Sequence, residues 1–193
     1  MRKAWFIGGD TINNVKVITI SGHAQNGKDT TAKILKEILE DGGYKVLITH
    51  YADLLKYICR AFFDWDGNKD EEGRTLLQYV GTDVVRNNEP DFWVNFIVKI
   101  LKLFDGNWDY VLIPDCRFPN ECNVLRENGF ETILLKVIRS GFESPLTEEQ
   151  RKHPSETAMD NTDADYTVDN SGSLDELKEK LNRFVEEYLN GIL

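Results

Sequence analysis

The sequence is short of cysteine, of basic charge and of long apolar runs, and each shortage excludes a class of protein. Only Cys59, Cys116 and Cys122 are present, and no pair has C-x-x-C spacing. A disulfide framework or a closed zinc site is therefore not expected, and a reducing cytoplasm is the expected location. No stretch approaches the roughly 20 apolar residues that span a bilayer, so no membrane association is expected. Arg2 and Lys3 precede only the apolar run Ala4 to Ile7, which is too short for a secretory signal. Lys and Arg number 23 against 33 Asp and Glu, a net charge of −10. A general nucleic-acid binder usually shows a basic face, so no nucleic-acid polymer is expected as a partner. A nucleotide site survives this argument, because it needs only a few local cations and a metal.

What is present reads as a single α/β domain of 193 residues. Short apolar runs alternate with helical periodicity, the mark of a parallel sheet with helices on its faces. The strands are expected at Val15 to Ile20, Tyr44 to Thr49, Tyr110 to Pro114, Glu131 to Ile138 and Tyr166 to Val168. A helix from about Lys28 carries Ile34, Leu35, Ile38 and Leu39 on one face and stops at Gly42-Gly43. Asp53 to Phe63 reads as a helix and Asp64 to Gly73 as a polar loop. Two further helices carry Leu76, Leu77, Val80 and Val84, and then Phe92, Trp93, Phe96, Ile97, Ile100 and Leu101. Ser173 caps a last amphipathic helix. Arg139 to Asp165 is too long for a routine connection and reads as a lid. The division is a core of 15–50, 105–138 and 165–193, a helical insert of 51–104 and a lid of 139–164.

Gly22 to Thr30 matches G-x-x-x-x-G-K, with Asp29 where Ser or Thr is usual. The pattern arises by chance in roughly one chain in twenty of this length. Here it lies between a buried strand and an amphipathic helix, the context that a phosphate loop requires. Gly22 and Gly27 permit the tight turn that aims backbone N–H groups of residues such as Gln25 and Asn26 at phosphate oxygens. The helix N-terminus adds positive potential, Lys28 a mobile charge and Thr30 a hydroxyl. Asp29 brings a negative charge close to phosphates, which makes sense mainly with Mg²⁺ between them. His23 is expected to be a solvated loop residue.

Asp115 ends the apolar strand at Ile113, where ligands bind in open α/β sheets. It can orient Mg²⁺ directly or through water, or cap the turn before a helix at Pro119. Arg117 can neutralise a phosphate or pair with Asp115.

Several segments together resemble the deoxynucleoside monophosphate kinases of phages and bacteria. They are Gly27-Lys28-Asp29-Thr30, Leu77 to Arg86, Asp115-Cys116-Arg117-Phe118-Pro119-Asn120-Glu121, His153-Pro154-Ser155-Glu156 and Tyr166 to Asn170. They fall in order and cover residues 16 to about 185. The resemblance implies a three-layer P-loop NTPase core with a five-stranded parallel sheet, a helical region that binds the nucleoside monophosphate, and a lid. It implies transfer of the γ-phosphoryl group of ATP to a (deoxy)nucleoside monophosphate, with Mg²⁺.

On that resemblance the candidate catalytic residues are Lys28, Asp115, Arg117, Arg139 and Arg151. ATP would be held by Gly22, Gln25, Asn26, Gly27, Lys28, Asp29, Thr30 and Asn170, the last near adenine. The acceptor would be held by Lys56, Arg74, Gln78, Arg86 and Trp93, with Arg86 the leading phosphate grip. Arg60 is read as a solvated cation. Gln78 can read a base edge, and Trp93 can stack on a base or belong to the core. Mg²⁺ would be held by Asp29 and Asp115. A homodimer is carried as an expectation. The rival readings are a dephospho-coenzyme A or phosphomevalonate type of kinase, or a non-catalytic ATP-binding module.

Overall fold

The computed structural model describes residues 15–142, 146–189 and 191. The parts of the expected division at 1–14, 143–145 (Glu143 of the lid among them), 190 and 192–193 lie outside the described residues.

Five strands form one sheet in the order β2-β3-β1-β4-β5, every neighbouring pair parallel. They are β1 (Lys16–Ser21), β2 (Val46–Ile48), β3 (Tyr110–Ile113), β4 (Glu131–Ile138) and β5 (Tyr166–Asp169). The helices are α1 (Lys28–Asp41), α2 (Ala52–Phe62), α3 (Glu71–Gln78), α4 (Phe92–Leu103), α5 (Pro119–Glu127), α6 (Glu148–Lys152), α7 (Pro154–Thr157) and α8 (Leu174–Arg183). Among the described residues no helix is long and apolar enough to cross a membrane.

The apolar strands form a sheet because both of its faces are covered, so neighbouring side chains on one strand enter different cores. On one face Val17, Val111, Ile113 and Leu134 pack with α4 and α5 through Trp93, Ile97, Leu101 and Leu125. On the other, Ile18, Ile20, Leu112, Leu135 and Val137 pack with α1 and α8 through Leu35, Leu39, Leu177 and Leu181. Leu35 and Leu181 are fully buried, so truncating either to Ala would cost about 2–5 kcal/mol.

The helix expected around Leu76 to Val84 is α3 followed by a π-helical segment, Tyr79–Arg86. The Trp93 indole N–H donates to Gly81 O within that segment, at 2.9 Å. Such segments are rare and often lie at functional sites. The expected lid contains α6 and α7. Thr147 caps α6, accepting from Gln150 N at 3.2 Å, while His153 Nδ1 accepts from Ser155 N at 3.2 Å to cap α7. Ser173 caps α8 as expected, accepting from Glu176 N at 3.2 Å.

The strand order brings the site together. β1 lies between β3 and β4, and Thr19 is in register with Ile113 on one side and Leu134 on the other. Chain leaving the carboxyl ends of β1 and β3 therefore emerges side by side, where a crevice opens in such sheets.

Candidate active site

The loop after β1 has the backbone its sequence requires. Gly22 has φ 143° and Gly27 φ 94°, both in the region that favours glycine. A β-carbon on Gly22 would stand 2.4 Å from Val137 O, and one on Gly27 2.2 Å from Asn170 Nδ2. Gln25, a non-glycine, has φ 61°, a conformation that persists only where its surroundings fix it. They do so through two side-chain braces. Asn26 Nδ2 donates to Val137 O at 3.2 Å, and Asn170 Nδ2 donates to Asn26 O at 2.8 Å. Asn170, expected near adenine, therefore braces the loop with its amide N–H.

Lys28 curls back over the loop, its Nζ donating to Gly22 O at 2.6 Å and His23 O at 2.9 Å. Burial, and next the positive charge of Arg117, push its ammonium down to about 7. Glu156, Asp29 and Asp115 act the other way, and an incoming anion would favour the charged form further.

Asp29 is largely exposed and turns to His50 Nε2, 3.1 Å from its Oδ1. This hydrogen bond is the main reason the Asp29 carboxyl lies below its usual range and the His50 imidazole above its own. Asp115 accepts from Tyr51 N and Ala52 N, both at 3.0 Å, so it caps α2. That corrects two of the alternatives considered for this carboxylate. Asp115 caps the helix that follows β2, not the one that begins at Pro119. Arg117 pairs with Glu156, at 2.7 Å, and not with Asp115.

One cavity of about 340 Å³ opens at the strand ends. Gln25, Lys28 and Asp29 line one side and Lys56, Arg74, Gln78, Arg86 and Trp93 the other, with Asp115 and Arg117 between. Ten of the expected site residues thus share one space. A neighbouring cavity is lined by Gln25, Gly27, Lys28, Asp29, Thr30, Arg139 and Asn170, so Lys28 and Asp29 stand at the junction of the two. The Arg139 guanidinium lies 4.7 Å from the Phe142 ring centre. Arg151 lines neither cavity. It is exposed, because Gln150 is the α6 residue that turns inward.

The cations on the helical side differ in what they do. Arg86, expected to lead in gripping a phosphate, is buried and paired with Glu121. Its Nη1 also donates to Pro90 O at 3.0 Å and Asn120 Oδ1 at 3.1 Å, and its Cζ lies 3.8 Å from the Phe118 ring centre. Glu121 in turn accepts from Arg117 N at 2.7 Å and Phe118 N at 3.1 Å. Burial pushes the Glu121 carboxyl up to about 7, against Arg86 and these N–H groups, which favour its charge. Arg86 is therefore part of the cavity floor. Lys56 contacts Asp53 at 3.1 Å. The guanidinium of Arg74 has no protein partner among the described residues. Trp93 is 4 % exposed, so its ring is a cavity wall within the core. His23 Nε2 lies 3.3 Å from Asp160.

Four residues escaped the sequence reading. His50 follows the end of β2, and the rule that sites gather beyond strand ends points to it. Lys69 also lines the cavity. Lys56 and Arg74 are close enough to add to the burial that lowers its pKa, and no motif marks it. Glu121 and Glu156 stand inside the quoted motifs, but the buried and half-buried pairs they form depend on contacts distant in sequence.

A family profile described as Deoxynucleotide monophosphate kinase matches residues 61–181. The Deoxynucleotide monophosphate kinase of Enterobacteria phage T4 is 34% identical over 110 residues, 56% of this chain and 43% of that protein. The one from Escherichia phage RB69 is 30% identical over 148 residues, 75% of this chain and 55% of that protein. The chain spans about half the length of these relatives. Among solved structures, the Mycobacterium tuberculosis APS kinase CysC in complex with AMPPNP and APS covers 89% of this chain and 97% of its own, with TM-score 0.49 and 14% identity. That likeness is too distant to add to the argument. The profile spans the helical insert from residue 61, the Asp115 turn, the expected lid and most of α8, and so includes Arg74, Gln78, Arg86, Trp93, Asp115 and Arg117 of the cavity lining but not the phosphate loop. The chain belongs to the deoxynucleotide monophosphate kinase family.

Proposed function

We propose that this protein transfers the γ-phosphoryl group of ATP to a deoxynucleoside monophosphate, forming ADP and a deoxynucleoside diphosphate. The observation that carries the reading is the single cavity with a phosphate-loop lysine on one side and, on the other, Arg74, whose guanidinium is unpaired among the described residues. The family's printed name supports the choice of acceptor.

ATP enters with its phosphates along the loop from Gly22 to Thr30, where backbone N–H groups and the N-terminus of α1 favour anions. Its base lies toward the cavity lined by Arg139 and Asn170. Lys28 leaves the loop carbonyls for the phosphates. Arg74, with Lys56 and Lys69 beside it, takes the acceptor phosphate, and Gln78 reads the base. Arg74 can grip a phosphate through two parallel hydrogen bonds. The acceptor is already an anion at neutral pH, so the chemistry needs alignment and charge stabilisation, not a strong base. Arg117 supplies positive charge beside Lys28. The lid segment limits the access of water, whose attack would waste ATP.

The residues also fit Mg²⁺. Among the described residues no three His, Cys, Asp or Glu side chains are grouped to hold a metal by themselves. Mg²⁺ in such sites takes one or two carboxylates and completes its shell with phosphates and water. Asp29 Oδ2 accepts no hydrogen bond among the described residues, and Asp115 retains lone pairs beyond its two N–H bonds. Asp29 and Asp115 would hold Mg²⁺ there with the nucleotide, and it would supply positive charge to the phosphate oxygens. The three free thiols accord with a cytoplasmic location.

The test is product analysis with Mg·ATP and a panel of ribo- and deoxynucleoside monophosphates, with dephospho-coenzyme A as a control. The reading expects ADP and a deoxynucleoside diphosphate in equal amounts. Turnover of dephospho-coenzyme A alone, or tight ATP binding with no diphosphate from any acceptor, would contradict it.

A further inference from the structure

Glu156 joins two parts of the site that lie far apart in the sequence. Its Oε1 accepts from Arg117 Nη1 at 2.7 Å, and its Oε2 accepts from the Ala24 backbone N–H at 3.1 Å. One carboxylate thus ties the arginine after β3 to the phosphate loop after β1. Glu156 is 8% exposed at its side chain, against 28% for Arg117. Ser155 O takes a second, longer contact from the same Nη1, at 3.3 Å.

The region carrying Glu156 is held in place on several sides. Gln150 Nε2 donates to Glu71 O of α3 at 3.3 Å, and His153 Nε2 lies 3.5 Å from Asp83 of the π-helical segment. On the loop side, Asp160 meets His23. The segment between β4 and β5 therefore bears on both sides of the cavity, with Glu156 at the centre.

Arg117 is not fully used by this contact. Its Nη2 and Nε have no protein partner among the described residues. It is near enough to Lys28 to help lower that residue's pKa. Glu156 Oε1 and Ser155 O both hold Nη1 and leave the edge formed by Nη2 and Nε open, and a planar donor fork works only when correctly aimed.

We infer that Glu156 is a positioning residue, which holds Arg117 against the phosphate loop so that the free edge of its guanidinium meets the transferring phosphoryl group. The inference rests on the proposed function of Arg117 and assigns the lid segment a specific task. The segment sets the arginine that stabilises charge during transfer, as well as covering the site.

The test is a double-mutant cycle on kcat, with Mg·ATP and the best acceptor among dAMP, dCMP, dGMP and dTMP. Arg117→Ala is expected to lower kcat about 10²–10³-fold. Glu156→Gln is expected to lower it at least about tenfold, with both KM values little changed, because a misaimed group loses transition-state contacts. The double variant should be no slower than Arg117→Ala alone, since Glu156 acts through the arginine. Glu156→Asp keeps the charge but is too short to span both donors. It should fall between wild type and Glu156→Gln, and it carries the test if the Gln variant unfolds. Losses that multiply in the double variant would overturn the inference. So would wild-type kcat in both Glu156 variants, or an effect confined to the unfolding midpoint. Wild-type kcat in Arg117→Ala would overturn the role of Arg117 itself, and this inference with it. A slow Arg117→Ala beside normal Glu156 variants would overturn this inference alone.

Discussion

The two sides of the cavity use similar cations for different ends. On the phosphate-loop side, Lys28 bonds only to backbone carbonyls among the described residues, and burial, then Arg117, lowers its pKa to about 7. On the helical side, Arg86 has its own buried carboxylate, two oxygen acceptors and an aromatic ring. Arg74, on the same side, has no protein partner among the described residues. A position within a motif is therefore no guide to whether its charge is free. An unpaired cation beside a cavity is available to a ligand, while a buried and paired one holds the walls that shape the cavity.

Changes at these residues would break or sharpen that contrast. The largest effect is expected at Lys28. Lys28→Ala should lower kcat by at least about 10²–10³-fold, as loss of a phosphate-stabilising donor does. Its unfolding midpoint should not fall, because a buried ammonium with a depressed pKa is itself a cost to folding. Steady-state kinetics and thermal unfolding of one preparation check both parts.

Arg86→Ala should act mainly on stability, by about 3–5 kcal/mol, since it leaves Glu121 buried without its partner. Urea unfolding measures this, and an Arg86 variant that is stable but slow would return Arg86 to direct binding. Arg74→Ala should do the opposite. The acceptor KM should rise about tenfold or more, the KM for ATP should hold, and stability should stay within about 0.5 kcal/mol.

A smaller effect is expected from the Glu121 carboxyl. Its folded pKa is raised from 4.5 to about 7, so between those values the folded state keeps a proton that the unfolded state has lost. Stability from this group is then greatest at low pH and declines as pH rises through the window. The difference in unfolding free energy between wild type and Glu121→Gln should shrink from about pH 4.5 to 7 and level off above. A difference that grows over that range would mean that Arg86 outweighs burial.

The sequence carried most of the sheet and one side of the site. Val15 to Ile20 and Tyr110 to Pro114 read as buried strands because both faces of a parallel strand are apolar, and the loop after the first has a local pattern of glycines and lysine. Boundaries shifted where burial fades, as at β2, expected from Tyr44 to Thr49 and found at Val46–Ile48. The helical side was harder to read. Leu76, Leu77, Val80 and Val84 gave the helix its period, but the π-helical turn follows no local pattern, and Gly81 O is bonded by the distant Trp93. Asp115 was read correctly as a strand-end carboxylate, while its bonds to Tyr51 and Ala52 depend on β2 lying beside β3. Glu121 and Glu156 looked like ordinary acidic residues because their partners, Arg86 and Arg117, are 35 and 39 residues away. Lys69 and His50 had no motif to mark them.

On the proposed function, donor and acceptor phosphates meet in one cavity, across Lys28 and Arg117. Inhibition by a bisubstrate analogue, adenosine joined to a deoxynucleoside through five phosphates, tests it most directly. Inhibition should be competitive against both ATP and the deoxynucleoside monophosphate, and weakened by Lys28→Ala and by Arg74→Ala alike. Competition against one substrate alone, or binding indifferent to Arg74, would contradict it.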